Sequence, residues 1–482
     1  MTQPDPATRS RPELPEPRVY ERAEHGISRA AIDDNALQVL YRLRDAGFRA
    51  CLVGGGVRDL LLGHEPKDFD VATDATPDQV RGLFRKCRLI GRRFRLAHVL
   101  FGRDVIEVAT FRAPHDDAED GDGRVALSEE GRILRDNRYG TIEQDAVRRD
   151  FSVNALYYDI DDFAVLDYTG GVEDLRAGVL RLIGDDVETR LREDPVRMLR
   201  AVRFSAKLGL RIAPEVEAGI HELAPLMETV APARLFDEVI KLFHSGAAVT
   251  CLDELERFGL FAAMFPEAAS CFADPDAGRA RRQFLVESLR NTDKRIGEGL
   301  GVNPAFLYAA VLWAPVQQRA AERIESGEQD IPAWQQAMAQ VLERQVQTVS
   351  IPKRFSLVVR EIWELQARLE RQRGARALRL LAHPRFRAGY DFLCLRGRAG
   401  DADPDLCQWW TELQERDAAG QQELVAGTQA KGTKARKGKS RRGGRRGRRG
   451  RKTGDASARK DAGGNTRDGQ ETAPRGEPGG EE

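Results

Sequence analysis

The feature that most restricts the fold is a glycine turn between a strand and a helix, with paired acids close behind. The short apolar run Ala50 to Val53 meets Gly54-Gly55-Gly56, and an apolar stretch (Leu60, Leu61, Leu62) follows Arg58. Adjacent glycines admit backbone conformations closed to other residues, and a turn of this kind offers bare N–H groups at a helix start, which suits phosphate. Phe69 to Thr73 then reads as a second strand. Asp68 and Asp70, at i and i+2, would project from one face of it because side chains alternate along a strand. Like charges so placed repel unless a cation lies between them, and hard divalent ions take clusters of carboxylate oxygens. Solvated acids on an exposed edge strand would give the same pair, and the glycine turn upstream is what argues against that reading.

Further strand signals follow. His98 to Phe101 and Val105 to Phe111 read as a hairpin around Gly102-Arg103-Asp104, and Val153 to Asp159 and Phe163 to Asp167 as two more strands. Glu107 interrupts its apolar strand, so it either faces outward or supplies a third carboxylate to a metal cage. Asp150, in Arg148-Arg149-Asp150 before an apolar strand, is the second candidate; its alternative is an ion pair at the strand's entry. Ser28 caps a helix running to about Ala46. The stretch His115 to Arg138, dense in Asp, Glu and Gly, reads as a mobile loop. From Val187 onward amphipathic helical patterns dominate and strand patterns vanish until Gln429. The expected fold is α+β. Residues 1–24 are disordered, 25–180 form a small α/β catalytic head, 181–275 a helical neck, 276–428 a helical body, and 429–482 a disordered tail.

Charge sharpens this division. The chain has 482 residues and no net charge, but residues 1–430 carry −10, residues 431–452 carry +13 and residues 453–482 carry −3. The central segment, KGTKARKGKSRRGGRRGRRGRK, has 13 cations and no acid in 22 residues. Its glycine content and self-repulsion prevent packing, and it reads as a polyanion-binding arm. No stretch approaches the roughly 18 apolar residues of a membrane span, and the polar N-terminus lacks a signal peptide's apolar run, so the expected location is cytoplasmic. The six cysteines are never closer than 13 positions, which excludes a CxxC pair. They read as small core residues rather than a disulfide framework.

GGGVRD, DFD, RRDFSVNAL and Glu193-Asp194-Pro195-Val196-Arg197-Met198-Leu199-Arg200 occur in order. Together they resemble the class II nucleotidyltransferases, the superfamily of tRNA CCA-adding enzymes and bacterial poly(A) polymerases. The stretch Leu89 to Val99, the segments Ile351 to Phe355 and Phe386 to Asp391, and the arginine-rich end are similar to bacterial poly(A) polymerase, which extends the resemblance over nearly the whole chain. The resemblance implies template-independent addition of AMP from ATP to RNA 3′ hydroxyls, with loss of pyrophosphate, as a mark for decay. It implies that Asp68 and Asp70 hold two Mg²⁺ ions and that Glu107 or Asp150 supplies the remaining carboxylate. Gly55, Arg58, Arg148 and Arg149 would meet the nucleotide, and Asp194, Arg197 and Arg200 would select its base. On spacing alone, Asp194-Pro195 could instead be a helix start and Glu193 an ion-pair partner of Arg197. RNA and ATP are the expected partners, with RNA-decay proteins at the basic tail. A CCA-adding activity and a catalytically silent RNA-binding protein are the alternatives.

Overall fold

The structure, a computed structural model, describes residues 14–91, 95–113, 125–127, 133–136, 138–184, 186–371 and 375–426. The expectations for residues 1–13, for most of the acidic loop, for Arg92 to Phe94 and for the tail lie outside them. The strands are β1 (Arg18–Tyr20), β2 (Ala50–Val53), β3 (Asp70–Thr73), β4 (Cys87–Ile90), β5 (Leu96–Phe101), β6 (Asp104–Thr110), β7 (Val125–Leu127), β8 (Ile133–Asp136), β9 (Leu156–Asp159), β10 (Ala164–Asp167), β11 (Val179–Leu180) and β12 (Arg211–Ile212). Eight form one sheet in the order β1-β10-β9-β2-β3-β6-β5-β4. Its pairings are antiparallel except β3 with β6.

The sheet is buried on both faces, which fits the near-continuous apolar sequence of its central strands. Ala50 and Leu52 of β2 point into the main core with Val39, Leu40 and Leu43 of the helix Asp34–Asp45. Cys51 and Val53 point the other way, into a smaller cluster with Tyr157 and with Ile142 and Ala146 of the helix Ile142–Arg148. The main core then runs without a break through Leu199 and Val239 to Leu395, across both expected domain boundaries at 180/181 and 275/276. A second core gathers Leu365, Leu393, Trp410 and Leu413 in the last helices. Among the described residues no helix is long and apolar enough to cross a membrane.

Several expectations are corrected. Arg18–Tyr20 pairs with β10 and is followed by the helix Arg22–His25, so order begins well before Gly26. Ser28 caps only a short 3₁₀ turn, Arg29–Ala31; the long helix starts at Asp34, where Asp33 accepts from the amides of Asn35 and Ala36. β7 and β8 pair within the stretch read as a loop. The strand expected from Val153 starts at Leu156, because Ser152–Asn154 forms a 3₁₀ turn. β12 is a strand beyond Val187. Cys394 and Cys407 are joined by a disulfide, whereas Cys51, Cys251 and Cys271 are buried free thiols and Cys87 is a half-buried one.

Candidate active site

The site grows from the end of β2. Val53 lies opposite Asp70 across the β2–β3 pair, Asp70 lies opposite Glu107 across β3–β6, and Glu107 lies opposite His98 across β6–β5. Strand register therefore delivers the glycine turn, an aspartate and a glutamate to one edge. Gly54 has φ 74° and ψ −132°, and its amide donates to the Leu156 carbonyl at 3.2 Å. Gly56 packs against the acidic segment, where a Cβ would stand 3.4 Å from the Asp68 carbonyl, at ordinary contact distance.

Strand β3 begins at Asp70, so Asp68 sits in the lead-in rather than on the strand, and both residues are exposed. Neither makes an ion pair among the described residues. The protein packed around Asp70 raises its pKa to about 6, chiefly by burying part of it, with the charges of Glu107 and Asp68 adding to the shift and Arg149 opposing it. Glu107 Oε2 lies 3.2 Å from His98 Nε2. Among the described residues no three metal-ligating side chains form a ready-made cage. The donor set nevertheless suits Mg²⁺, which takes one or two carboxylates and completes its octahedron with water and substrate phosphates. The repulsion at Asp70, which Arg149 opposes only in part, is what such a cation would relieve.

The other predicted residues are placed differently. Asp150 is not in the carboxylate group: its Oδ1 accepts from the Phe151 amide and its Oδ2 stands 2.7 Å from Arg200 Nη2. The Asp150 charge raises the Arg200 pKa. Arg58, expected to offer its fork to phosphate, is buried and spends it on Asp59 Oδ1 (2.8 and 2.6 Å) and Asn154 Oδ1 (2.7 Å). Arg149 binds Asp145 Oδ2 at 2.9 Å and Tyr157 Oη at 2.9 Å, and Arg148 stands 4.0 Å from Asp145. Burial would lift the Asp145 pKa, but Arg149 and the Tyr157 hydroxyl more than offset it and hold it low.

At the neck, Pro195 takes the cap position of the helix Val196–Leu208, and the Asp194 carbonyl accepts from the Arg197 amide at 2.9 Å. The Asp194 carboxylate forms a two-point pair with Arg234 (2.6 and 2.7 Å). Arg197 and Glu193 do pair, at 2.8 Å, through Nη1, which also donates to the Arg190 carbonyl. The Nε and Nη2 edge of Arg197 makes no hydrogen bond among the described residues. Arg190 donates to the carbonyls of Arg148 (3.0 Å) and Arg149 (2.6 Å) and so ties the neck to the RRD segment. Sequence reasoning missed Asp145, Asn154, Tyr157, Arg190 and Arg234. Only Asp145, four residues before Arg149 on a helix, carried a legible signal.

Residues 50–181 match the poly A polymerase head domain, residues 209–272 the probable RNA and SrmB-binding site of polymerase A, and residues 326–451 the polymerase A arginine-rich C-terminus. The poly(A) polymerase I of Salmonella typhimurium is 50% identical over 399 residues, 82% of this chain and 85% of that one. That of Haemophilus influenzae is 46% identical over 422 residues, 87% and 93% of the two chains. The chain belongs to the poly(A) polymerase I family. As a member it is a nucleotidyltransferase, and the family's head domain contains the glycine turn, the three carboxylates and the RRD segment. Beyond the family, a CCA-adding enzyme of Bacillus stearothermophilus, solved in complex with CTP, has a TM-score of 0.52 at 26% identity and covers 78% of this chain and 80% of that one.

Proposed function

We propose that the chain extends RNA 3′ ends with adenylate without a template, moving AMP from ATP to the terminal hydroxyl and releasing pyrophosphate. Membership of the poly(A) polymerase I family supports this. What supports the chemistry is the register that sets Asp70 opposite Glu107 beside the glycine turn, with Asp68 near enough for its charge to raise the Asp70 pKa. Asp68 and Asp70 are the residues that would hold Mg²⁺, with Glu107 as the third carboxylate. Two bound ions would lower the pKa of the attacking hydroxyl and neutralise phosphate charge.

The rest is done by protein groups. Gly55, at the head of its short helix, gives the triphosphate an approach unshielded by a side chain. Arg58 and Arg149 act from behind: one anchors the turn to Asn154, the other anchors the RRD segment to Asp145 and Tyr157. Arg200 holds Asp150, and Arg190 holds the backbone between Arg148 and Asp150. The open edge of Arg197 reads the base edge of adenine, while Arg234 fixes Asp194 beside it. The added tails mark RNA for decay in the cytoplasm, and the basic tail of the chain engages RNA and decay proteins.

The test is transfer of label from α-labelled ATP to an RNA oligonucleotide. Wild-type chain should transfer in Mg²⁺. Asp68→Asn and Asp70→Asn should each lose about 10³-fold or more while still binding RNA, because charge is removed at constant volume where transition-state charge is stabilised. Retention of more than roughly a tenth of the wild-type rate by either variant would refute the assignment.

A further inference from the structure

The row of side chains that carries the carboxylates does not stop at them. Asp70 lies opposite Glu107, Glu107 opposite His98, and His98 opposite Arg88 of the edge strand β4. Residues paired across a sheet point to the same face, so these four form one row that runs from the site to the edge. Three strand spacings put the Arg88 backbone roughly 14 Å from that of Asp70. The flanking rows are apolar, with Leu100 and Val105 on one side and Ile90 and Leu96 on the other.

Both faces of the sheet are covered at its central strands, but toward β4 this one is open among the described residues. Ala97, Val99 and Val108, which point the other way, are buried, whereas Ile90 and Val105 are 38% and 44% exposed. The edge is also strongly basic. Residues 81–103 carry eight Lys and Arg and no acid, in a body whose net charge is −10. Arg81 and Arg95 share Asp78. Lys86 falls on the same face as Arg88 by alternation, and its carbonyl takes the Leu100 amide at 2.9 Å. Both side chains are exposed, and neither has a carboxylate partner among the described residues.

We propose that this face of β4, β5 and β6 is the docking surface for the last nucleotides of the RNA strand, with the 3′ hydroxyl at Asp70 and Glu107 and the preceding phosphates at Arg88 and Lys86. This rests on the reading of the cleft as the place where adenylate is added. Cations with apolar side chains between them match a strand that alternates phosphate with base. The bases lie on the apolar rows and on the His98 ring, whose Nε2 is turned to Glu107 at 3.2 Å. A sheet face stacks about two or three unpaired bases in a common RNA-binding module. Unpaired RNA is selected over a duplex, because base faces are open to side chains only where bases are unpaired. The structural rival is that charge on an edge strand keeps it from pairing with another sheet.

A short unstructured RNA with a photoreactive base at its second-last position, irradiated with the full chain, reads the surface without a transfer step. The cross-link should fall in β4 or β5. Arg88→Gln and Lys86→Gln should each raise the KM for that RNA about three- to tenfold, as expected for loss of a charge-assisted contact. Together they should flatten the dependence of log K for RNA on log salt by about 1.4. Arg88→Lys should keep most of the affinity, and the KM for ATP should not move. A cross-link outside the head sheet, or RNA affinity indifferent to both substitutions, overturns the proposal. With RNA affinity unmoved, aggregation of the variants would make the cations guards of the edge, and loss of a wild-type dimer would assign the edge to a second copy of the chain. If the cross-link forms at β4 or β5 but no adenylate is added, the proposed function fails and the surface stands.

Discussion

Asp70 bears the electrostatic cost of the site. Its pKa is raised to about 6, so the folded chain binds its proton more tightly than the unfolded chain does. A raised carboxylate pKa leaves the fold unpenalised below the unfolded value near 4 and costs stability as pH rises through 6. Asp70→Asn should therefore melt higher than wild type at pH 7.5 in EDTA, and the gain should vanish near pH 4. Because the side chain faces solvent, screening holds the effect to roughly 1 kcal/mol, about 1–2 °C for a chain of this size. A gain that persists undiminished at pH 4 would mean the charge is not its cause. At this scale the sequence pointed to Asp70 and Glu107 through their places on strands, whereas the alternation that paired Asp68 with Asp70 does not hold, because β3 starts only at Asp70. It left Glu107 and Asp150 unranked, because only register puts Glu107 beside Asp70 and only the folded neck puts Arg200 on Asp150. The Asp194–Arg234 pair spans 40 positions, and no local pattern could announce it.

The hairpin β5–β6 was legible because Gly102, at φ 64°, sits where a tight turn needs it. Element boundaries were less so. Asp33 outcompeted Ser28 as the cap of the first long helix by accepting from two amides rather than one. The expected break between neck and body falls in the loop between the helices Pro266–Phe272 and Gly278–Gly297 but is no gap in the core, because both sides of it contribute to one apolar cluster. The disulfide was illegible for a similar reason: a 13-residue spacing brings two cysteines together only when the helices Phe386–Arg398 and Pro404–Glu415 fold back on one another. Closing a loop of that length restricts the unfolded chain, so Cys407→Ser, or reductant on wild type, should cost about 2–3 kcal/mol in the last core. The KM for ATP should not change, since the strands and helices of the site lie elsewhere. Identical melting curves with and without reductant would show that the bond does not bear on stability.

For the whole molecule the decisive asymmetry is electrostatic, an acidic body of −10 joined to a segment of +13. If about five of those cations engage phosphates at once, removal of residues 431–482 should flatten the dependence of log K for RNA on log salt by roughly 3–4 units. Turnover on saturating short primers should stay near normal, because the residues assigned to the cleft, the last of them Arg234, all precede the removed segment. Equal salt slopes for the full and truncated chains would remove RNA binding from the arm. The central claim is that this cleft adds adenylate, repeatedly and without a template, and competition between nucleotides tests it most directly. An unstructured RNA and a tRNA lacking its terminal CCA are each offered equimolar ATP and CTP, with wild type and with Arg197→Ala. The account predicts a ladder of adenylates on both RNAs from wild type, with little cytidylate, and a narrowed preference for ATP with a raised KM from the variant. Addition that requires tRNA and stops after C, C and A would contradict it.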